Sequence, residues 1–182
     1  MRTGQKRRTI FNHRAGPPHS ISLCLMIAMM QSLELKIPPP VVALLVAGAM
    51  WGIAAIAPLL ELRVFIRVAA AATVALAGGL FSLAGAISIR RAGTTVNSMK
   101  PGTTSSLVCS GIYRVTRNPM YVGLLFVLVA WAIFLSSAWA LLGPLAFVPY
   151  LNRFQIAPEE RALSAMFGAD YAAYKSKVRR WL

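Results

Sequence analysis

The sequence predicts an all-α integral membrane protein with about four transmembrane helices, a cytoplasmic loop and C-terminal amphipathic helices. Of its 182 residues, 57% are hydrophobic and only 13% are charged, whereas a soluble domain is about one quarter charged. The charges are largely confined to stretches between long apolar runs, which is typical of a chain that crosses a bilayer several times. The net charge is +14, and the basic residues are unevenly distributed along the chain.

Four apolar runs reach the roughly 17–25 residues that a transmembrane helix needs. They are residues 41–60, 68–89, 119–135 and 139–156. Pro144 and Pro149 fall within the fourth run and are expected to kink it, which a bundle tolerates because neighbouring helices satisfy the freed carbonyl groups. Little sequence remains for a soluble domain, so residues 37–182 are predicted to form a single membrane domain.

The basic residues predict the orientation of these helices. Of the 19 lysines and arginines, two lie between the first and second runs and none between the third and fourth. The others precede the first run, separate the second from the third, or lie at and beyond the end of the fourth. Because cytoplasmic segments are enriched in Lys and Arg, both termini and the loop after the second run are predicted to be cytoplasmic. Nucleic-acid binding is disfavoured, because no soluble module presents the charge.

Cysteine and histidine give no sign of a metal or redox site. Cys24 and Cys109 form no C-x-x-C motif, so their spacing does not indicate zinc or thiol chemistry. His13 and His19 both precede the first apolar run, which excludes a histidine-ligated metal within the membrane. We therefore predict no metal site.

Residues 1–36 differ from the rest of the chain. They are polar and basic and end near a short apolar stretch, ISLCLMIAMM. One interpretation is a signal peptide, although a clear small-x-small cleavage site is missing. The segment resembles a twin-arginine signal only loosely, and a third interpretation is that translation starts at Met26, Met29 or Met30. We favour a basic extension that is dispensable, and we assign no chemistry to it.

An irregular cytoplasmic segment, residues 90–118, precedes the third run. So long a loop in a small protein is usually functional or disordered. The sequence indicates where this segment ends and the third helix begins, because Asn118 is a favourable N-cap and Pro119 suits the first helical position. Arg117 and Tyr113 therefore stand just before a helix N-terminus, whose free N–H groups attract anions such as carboxylates.

The segment after the fourth run predicts two short helices. Pro158 begins the first, with Glu159 and Glu160 in its first turn, and Gly168 ends it. Asp170 is placed to cap the second. One face of that second helix is aromatic and apolar, with basic flanks, and it carries Tyr171, Tyr174, Val178 and Trp181. Such a face either lies on an anionic membrane surface or packs against the bundle.

The two polar clusters each allow a structural and a functional interpretation. Glu159 and Glu160 are either favourable charges at a helix start or a carboxylate site for a cationic ligand. The tyrosines and arginines of residues 113–121 are either an aromatic belt with snorkelling arginines or a binding site. The aromatic belt explains individual residues but not their packed order.

Two motifs, in this order, resemble those of the isoprenylcysteine carboxyl methyltransferase family. They are SGIYRVTRNPMYVG and, one apolar run later, YLNRF followed by PEERALSAMFGADYAAYKSKVRRWL. The similarity covers about residues 90–182, is greatest to small bacterial members, and is more distant to the phospholipid N-methyltransferases. The resemblance implies an integral membrane enzyme that uses S-adenosylmethionine, with cofactor motifs in residues 90–123 and 153–182.

The resemblance also assigns residues to the cofactor site by position. The implied cofactor-binding residues are Gly111, Tyr113, Arg117, Asn118, Pro119, Tyr121, Glu159 and Glu160. A Phe-Gly-x-x-Tyr-x-x-Tyr pattern is matched by Phe167, Gly168, Tyr171 and Tyr174. Asn118 departs from the family, which usually has histidine there, and it can donate or accept a hydrogen bond but cannot titrate. Gln155 stands where some relatives have an arginine.

The chemistry of the implied cofactor fits these residues. Its carboxylate is expected near Arg117 and the start of the third helix, and its ammonium near Glu159 and Glu160. Methyl transfer to a carboxylate acceptor, which we favour, needs no general base, only alignment and the exclusion of water.

Three arginines are candidate catalytic residues, because each could orient an anionic acceptor: Arg90, Arg91 and Arg153. An amine acceptor, as in a phospholipid N-methyltransferase, would instead require a proton acceptor. Glu159, Glu160 and Tyr121 are the candidates for that role.

The predicted acceptor is a lipophilic small molecule or a lipid-modified substrate that enters from the bilayer. The predicted location is the bacterial inner membrane, with the active site on the cytoplasmic side. Oligomeric state is not predicted.

The alternative enzyme class is an NADPH-dependent membrane reductase of the sterol-reductase type, which shares an Asn-Pro or His-Pro-x-Tyr element at a helix start. Those enzymes tend to be longer, and the Pro-Glu-Glu-Arg segment fits the methyltransferases better.

Overall fold

In a computed structural model of the protein, residues 34–57, 60–93 and 106–182 are described, and they contain helices but no β-strand. The α-helices are α1 (Pro39–Ile56), α2 (Val64–Arg91), α3 (Pro119–Leu135), α4 (Leu142–Leu151) and α5 (Ala157–Lys177). Two 3₁₀-helices, Gly111–Arg114 and Ala138–Leu141, and a π-helix, Asn152–Ile156, complete the secondary structure of these residues. The predicted all-α fold is confirmed for this part of the chain.

The helices α1 and α2 are long and apolar enough to cross a membrane. Helix α1 ends earlier than the predicted run 41–60, because Ala57 is extended (φ −94°, ψ 154°). Helix α2 has 28 residues and exceeds the predicted run 68–89 at both ends. Large apolar side chains on both helices are exposed, including Trp51 at 63% and Phe65 at 80%. A helix of a soluble protein would bury such a surface.

Helix α3 coincides with the predicted run 119–135 and packs closely on α2. A Cβ atom added to Gly78 would lie 2.7 Å from the carbonyl oxygen of Gly123, so the two backbones touch at this level. Small residues allow such an approach between helices in lipid. A Cβ at Gly85 would lie 3.1 Å from Cγ of Pro119. The end of α2 is thereby held against the first residue of α3.

The fourth apolar run is not the single helix that residues 139–156 predicted. It is divided into a 3₁₀-turn, α4 and the π-helix, and the helical path then continues directly into α5. Pro149 lies inside α4, and the freed hydrogen-bonding groups of such a proline are accommodated by local 3₁₀ or π geometry. Pro158 lies in the first turn of α5, as predicted, although this helix continues the π-helix without a break. The predicted break at Gly168 is confirmed, because its φ of 48° and ψ of −117° interrupt α5.

The buried core joins α1, α3 and α4 with the π-helix. Its largest fully buried apolar side chains are Met50, Leu128, Phe147, Leu151 and Ile156. Met50 packs so closely on Gly143 that a Cβ there would lie 2.4 Å from the methionine side chain. This core holds the π-helix, and hence the start of α5, against α3.

Residues just before α1 contact the π-helix and α5. The N–H of Leu35 donates to the carbonyl of Phe154 at 3.1 Å. Glu34 accepts from Arg153 at 2.5 Å and also pairs with Arg161. Residues 34–36 of the predicted extension are thus in contact with the bundle. Residues 1–33 lie outside the described residues, so the predictions of a signal peptide or of a dispensable segment stay predictions.

Candidate functional site

A cleft lies where the start of α3, the start of α5 and the segment before α3 meet. It contains about 870 Å³ of empty space, including its open mouth. Most of its wall is apolar, supplied by side chains such as Ile89, Val108 and Ile156. Its polar lining comes from Tyr113, Arg117, Asn118, Tyr121, Glu159, Glu160, Tyr171 and Tyr174. An apolar pocket with a few convergent polar groups is the usual form of a small-molecule site.

The start of α3 is fixed by a segment from the end of the chain. We call residues 178–181 the C-terminal strap. The N–H of Arg117 donates to the carbonyl of Arg179 at 3.0 Å, and Thr116 Oγ1 donates to the carbonyl of Arg180 at 3.2 Å. Thr116 is fully buried, so these contacts fix the segment that leads into α3.

Asn118 occupies the N-cap position of α3, but its side chain makes no capping hydrogen bond. Its amide Nδ2 instead donates to the carbonyl of Arg180 at 2.9 Å, and its N–H donates to Thr116 Oγ1 at 3.2 Å. The predicted capping role of this side chain is therefore wrong. The strap carbonyl binds the donor end of the amide, while the Oδ1 of Asn118 accepts no hydrogen bond from the first turn of α3.

Glu160 is the anionic centre of a buried charge cluster. It is 7% exposed and lies 3.3 Å from Arg117, 2.7 Å from Arg180 and 3.6 Å from Lys175. Burial alone would raise the pKa of Glu160, but the hydrogen bond from Arg180 and the charges of the three cations hold that pKa below its ordinary value. Glu160 is therefore ionised and fully engaged by the protein.

Glu159 has a different environment from its neighbour. The hydroxyl of Tyr121 donates to its Oε1 at 2.5 Å. Burial raises the pKa of Glu159 to about 7, the hydrogen bond from Tyr121 opposes this shift, and the charge of Glu160 adds to it. Glu159 forms no ion pair in the described part of the chain, unlike Glu160. It is the member of the pair that is available to a cation.

Arg117 is the side chain of the cleft that is available to an anionic group of a ligand. Its Nη2 faces Glu160 and its guanidinium also interacts with the hydroxyl of Tyr171, while its Nε and Nη1 are buried and have no hydrogen-bond partner of good geometry among the described residues. Buried donors without partners are costly. Arg117 is thus suited to an additional anionic oxygen, such as that of a carboxylate.

Tyrosines close the same end of the cleft. Tyr174 donates its hydroxyl hydrogen to the carbonyl of Tyr113 at 2.7 Å. Burial, with a smaller contribution from the charge of Glu159, raises the pKa of Tyr113 to about 12, so this phenol is neutral. Tyr171 and Tyr174 are buried, and the indole of Trp181 donates to Asn152 at 3.0 Å. The aromatic face of α5 and the strap therefore packs against the bundle, as one of its two interpretations predicted.

The structure brings most of the predicted site residues together but places some elsewhere. Arg90 and Arg91 are exposed at the end of α2 and do not line the cleft. Arg153 pairs with Glu34, also outside the cleft lining. Gly111 has a φ of 62° and lies against Ser88, where a Cβ would be 2.7 Å from the serine hydroxyl. Gly111 shapes the turn before α3 rather than the cleft wall.

Sequence reasoning missed the residues that hold Glu160 and the start of α3. Arg180 and Thr116 do so, although Arg180 is 20 positions from Glu160 and Thr116 is 64 positions from Arg180. In the sequence, the basic residues near the end of the chain indicate only the flanks of the aromatic face. A long-range contact of this kind has no local signal in one sequence.

Comparison with known proteins identifies the class and then the family. The model for phospholipid methyltransferases matches residues 66–170, which indicates a membrane methyltransferase. That match covers more than half of the chain, so the protein belongs to the phospholipid methyltransferase family. This family lies in the same superfamily as the isoprenylcysteine methyltransferases, which confirms the resemblance at that broader level. The reductase alternative is not supported.

The chain is also similar to an uncharacterised protein of Haemophilus influenzae. The two are 49% identical over 63 residues, which is 35% of this chain and all of that protein. No solved structure matches the chain significantly. The family is therefore established by the match of its model to the sequence.

Proposed function

We propose that the protein is an integral membrane methyltransferase that binds S-adenosylmethionine in the cleft and methylates a lipophilic acceptor. The observation that carries this proposal is the pairing of Arg117 and Glu159: among the described residues, two buried donors of Arg117 have no hydrogen-bond partner and Glu159 forms no ion pair. They line one cleft with the start of α3. A zwitterionic amino-acid moiety needs such a pair of opposite charges.

The residues of the cleft fit the cofactor group by group. Arg117 and the uncapped first turn of α3 would hold its carboxylate, and Glu159 would hold its ammonium. The tyrosines and the apolar wall would exclude water around the rest. When bound, the cofactor supplies an electrophilic methyl group on a sulfonium. Glu160 acts indirectly, because it positions Arg117.

The more specific part of the proposal is the chemical group that accepts the methyl group, a carboxylate or an amine. The resemblance favours methylation of a carboxylate, but the arginines expected to orient it, Arg90, Arg91 and Arg153, do not line the cleft. Glu159 favours a second candidate, methylation of a lipid amine, because a carboxylate with a pKa of about 7 can accept a proton at neutral pH. The family description points the same way.

Incubation of the purified protein with methyl-labelled S-adenosylmethionine and total membrane lipid tests the function. We expect a labelled lipid, and its stability in base identifies the linkage, because an ester is hydrolysed and an N-methyl amine is not. The absence of cofactor binding by calorimetry, together with the absence of labelled lipid, would reject the proposal.

Glu159→Gln is expected to weaken cofactor binding and to remove its pH dependence. In the wild type, affinity is expected to rise about tenfold between pH 5.5 and pH 7, because Glu159, with a pKa of about 7, becomes ionised over this range. Glutamine cannot ionise, so the variant should bind weakly at every pH. Calorimetry in detergent at a series of pH values measures this. Unchanged affinity with a reduced turnover rate would instead identify Glu159 as a proton acceptor for an amine.

We also propose that the protein lies in the bacterial inner membrane with the cleft on the cytoplasmic side. The exposed apolar surfaces of α1 and α2 support insertion in lipid, and the distribution of basic residues supports the orientation. A reporter fused after Leu182 should be cytoplasmic. An external reporter would overturn the orientation but not the methyltransferase.

A further inference from the structure

A second cavity lies between α1, α2 and α3 and has no known role. Side chains of all three helices line it, including Ala47 from α1, Ala71 and Ala75 from α2, and Leu124 and Trp131 from α3. Every lining residue is apolar, and the cavity has about 1380 Å³ of empty space that opens to the surroundings. We call it the apolar groove. Along α3 it extends from Leu124 to Phe134, ten residue steps that rise about 15 Å.

A cation stands at one end of the apolar groove. Arg67 precedes the lining residue Val68, and its guanidinium carbon lies 5.4 Å from the centre of the Phe134 ring, which also lines the groove. Within residues 34–57, 60–93 and 106–182, the buried Nε of Arg67 has no hydrogen-bond partner and no carboxylate forms an ion pair with this side chain. An arginine with a free donor beside an apolar wall is suited to an anionic oxygen on an apolar molecule.

The N-terminus of α2, the helix that carries Arg67, is a second feature that attracts an anion. The N-cap of α2, Arg63, makes no side-chain capping bond, and the first turn contains no acidic residue. Free N–H groups at a helix N-terminus attract phosphate. Arg67 lies in the first turns of this helix, four residues after its N-cap, so its charge is near these groups. The arginine and the helix start therefore favour the same anion.

We propose that the apolar groove binds an acyl chain of an anionic phospholipid, whose phosphate is held by Arg67 and the N-terminus of α2. The proposal rests on the membrane placement given above, but it assigns a separate site. The cleft is reached by the other end of α2, where Ile89 lines it. The hydrocarbon chain requires no polar partner in the groove, and the phosphate supplies the acceptor that Arg67 lacks.

Trp131 allows this binding to be measured directly. Its indole is fixed by a hydrogen bond to the carbonyl of Ala47 at 3.1 Å, and it lines the groove. The exposed Trp51 and Trp139 are replaced by phenylalanine to reduce background fluorescence. The detergent-solubilised protein is then titrated with phosphatidylglycerol that carries brominated acyl chains, which quench a tryptophan they touch, and with brominated phosphatidylcholine for comparison.

We expect saturable quenching, with roughly tenfold tighter binding of phosphatidylglycerol than of phosphatidylcholine, because a charge-assisted hydrogen bond favours the anionic lipid. Arg67→Gln should abolish this preference. Lys177→Gln removes the same charge from an exposed position outside the groove and should leave the preference unchanged. Ala71→Phe fills the groove and should remove the saturable quenching by both lipids.

Several results would overturn the proposal. Quenching that never saturates would mean that lipid does not occupy the groove. A preference retained in Arg67→Gln would mean that the phosphate is not held there. A dimer that Ala71→Phe dissociates would mean that a second copy of the chain fills the groove. Binding of S-adenosylmethionine to Arg67→Gln should equal the wild type, so failure of the lipid site is distinguishable from failure of the methyltransferase.

Discussion

Glu160→Gln is expected to lower the free energy of unfolding by about 3–5 kcal/mol and to abolish cofactor binding. Removing one partner of a buried ion pair leaves an uncompensated charge, which costs that much. Here the stranded cation is Arg117, whose side chain is 10% exposed, and Arg180 and Lys175 also lose their partner. Thermal melting in detergent measures the stability, and calorimetry with S-adenosylmethionine measures binding.

Glu159→Gln is the matched control for this experiment. Its folded-state pKa of about 7 lies above the ordinary value, so its contribution to stability is present at low pH and is lost as the pH rises through 7. At pH 8 the variant should therefore melt at or above the temperature of the wild type. If Glu160→Gln melts like the wild type and only binds the cofactor more weakly, Glu160 is a ligand rather than an anchor of Arg117.

Truncation after Val178 is expected to have an effect of similar size. The strap carbonyls accept hydrogen bonds from Arg117, Thr116 and Asn118, and Arg180 donates to Glu160 at 2.7 Å and 3.1 Å. With about 1 kcal/mol for each neutral bond and about 2 for the charged pair, the loss is about 5 kcal/mol. The start of α3 then loses its fixed position, so cofactor binding should disappear and the melting temperature should fall below that of the wild type.

Removal of Leu182 alone is the control for the truncation, because this residue is 53% exposed and lies beyond the strap. It should bind the cofactor with wild-type affinity. Wild-type binding by the protein that ends at Val178 would show that the strap does not support the site. Arg180→Gln keeps the strap carbonyls and should give an intermediate loss.

Elements with strong local signals were predictable from the sequence. Helix α3 follows its predicted bounds because a proline starts it and an uncharged run continues it. The break at Gly168 was predictable because glycine accepts a positive φ. The gathering of Tyr113, Arg117 and the acidic pair in one cleft followed from two motifs that resemble a known family.

The features that were not predictable depend on tertiary contacts. Asparagine is a favoured N-cap residue, but the side-chain amide of Asn118 donates a hydrogen bond to a carbonyl of the strap instead. Glu159 and Glu160 are adjacent and chemically identical, yet three cations surround one of them and a tyrosine hydroxyl contacts the other. The continuation of the fourth run through a π-helix into α5 depends on packing against α1 and α3. A local pattern does not specify such partners.

The length of α2 has a consequence for the membrane in which the protein works. Its 28 residues extend about 42 Å, whereas the hydrocarbon core of a bilayer is roughly 30 Å thick. The helix must therefore tilt or project, by an amount that depends on bilayer thickness. Because Gly85 contacts Pro119 and Ile89 lines the cleft, a change in tilt moves one wall of the cofactor site. In the proposed membrane placement, we therefore expect the width of the cleft to differ between membranes built from longer and from shorter fatty acids.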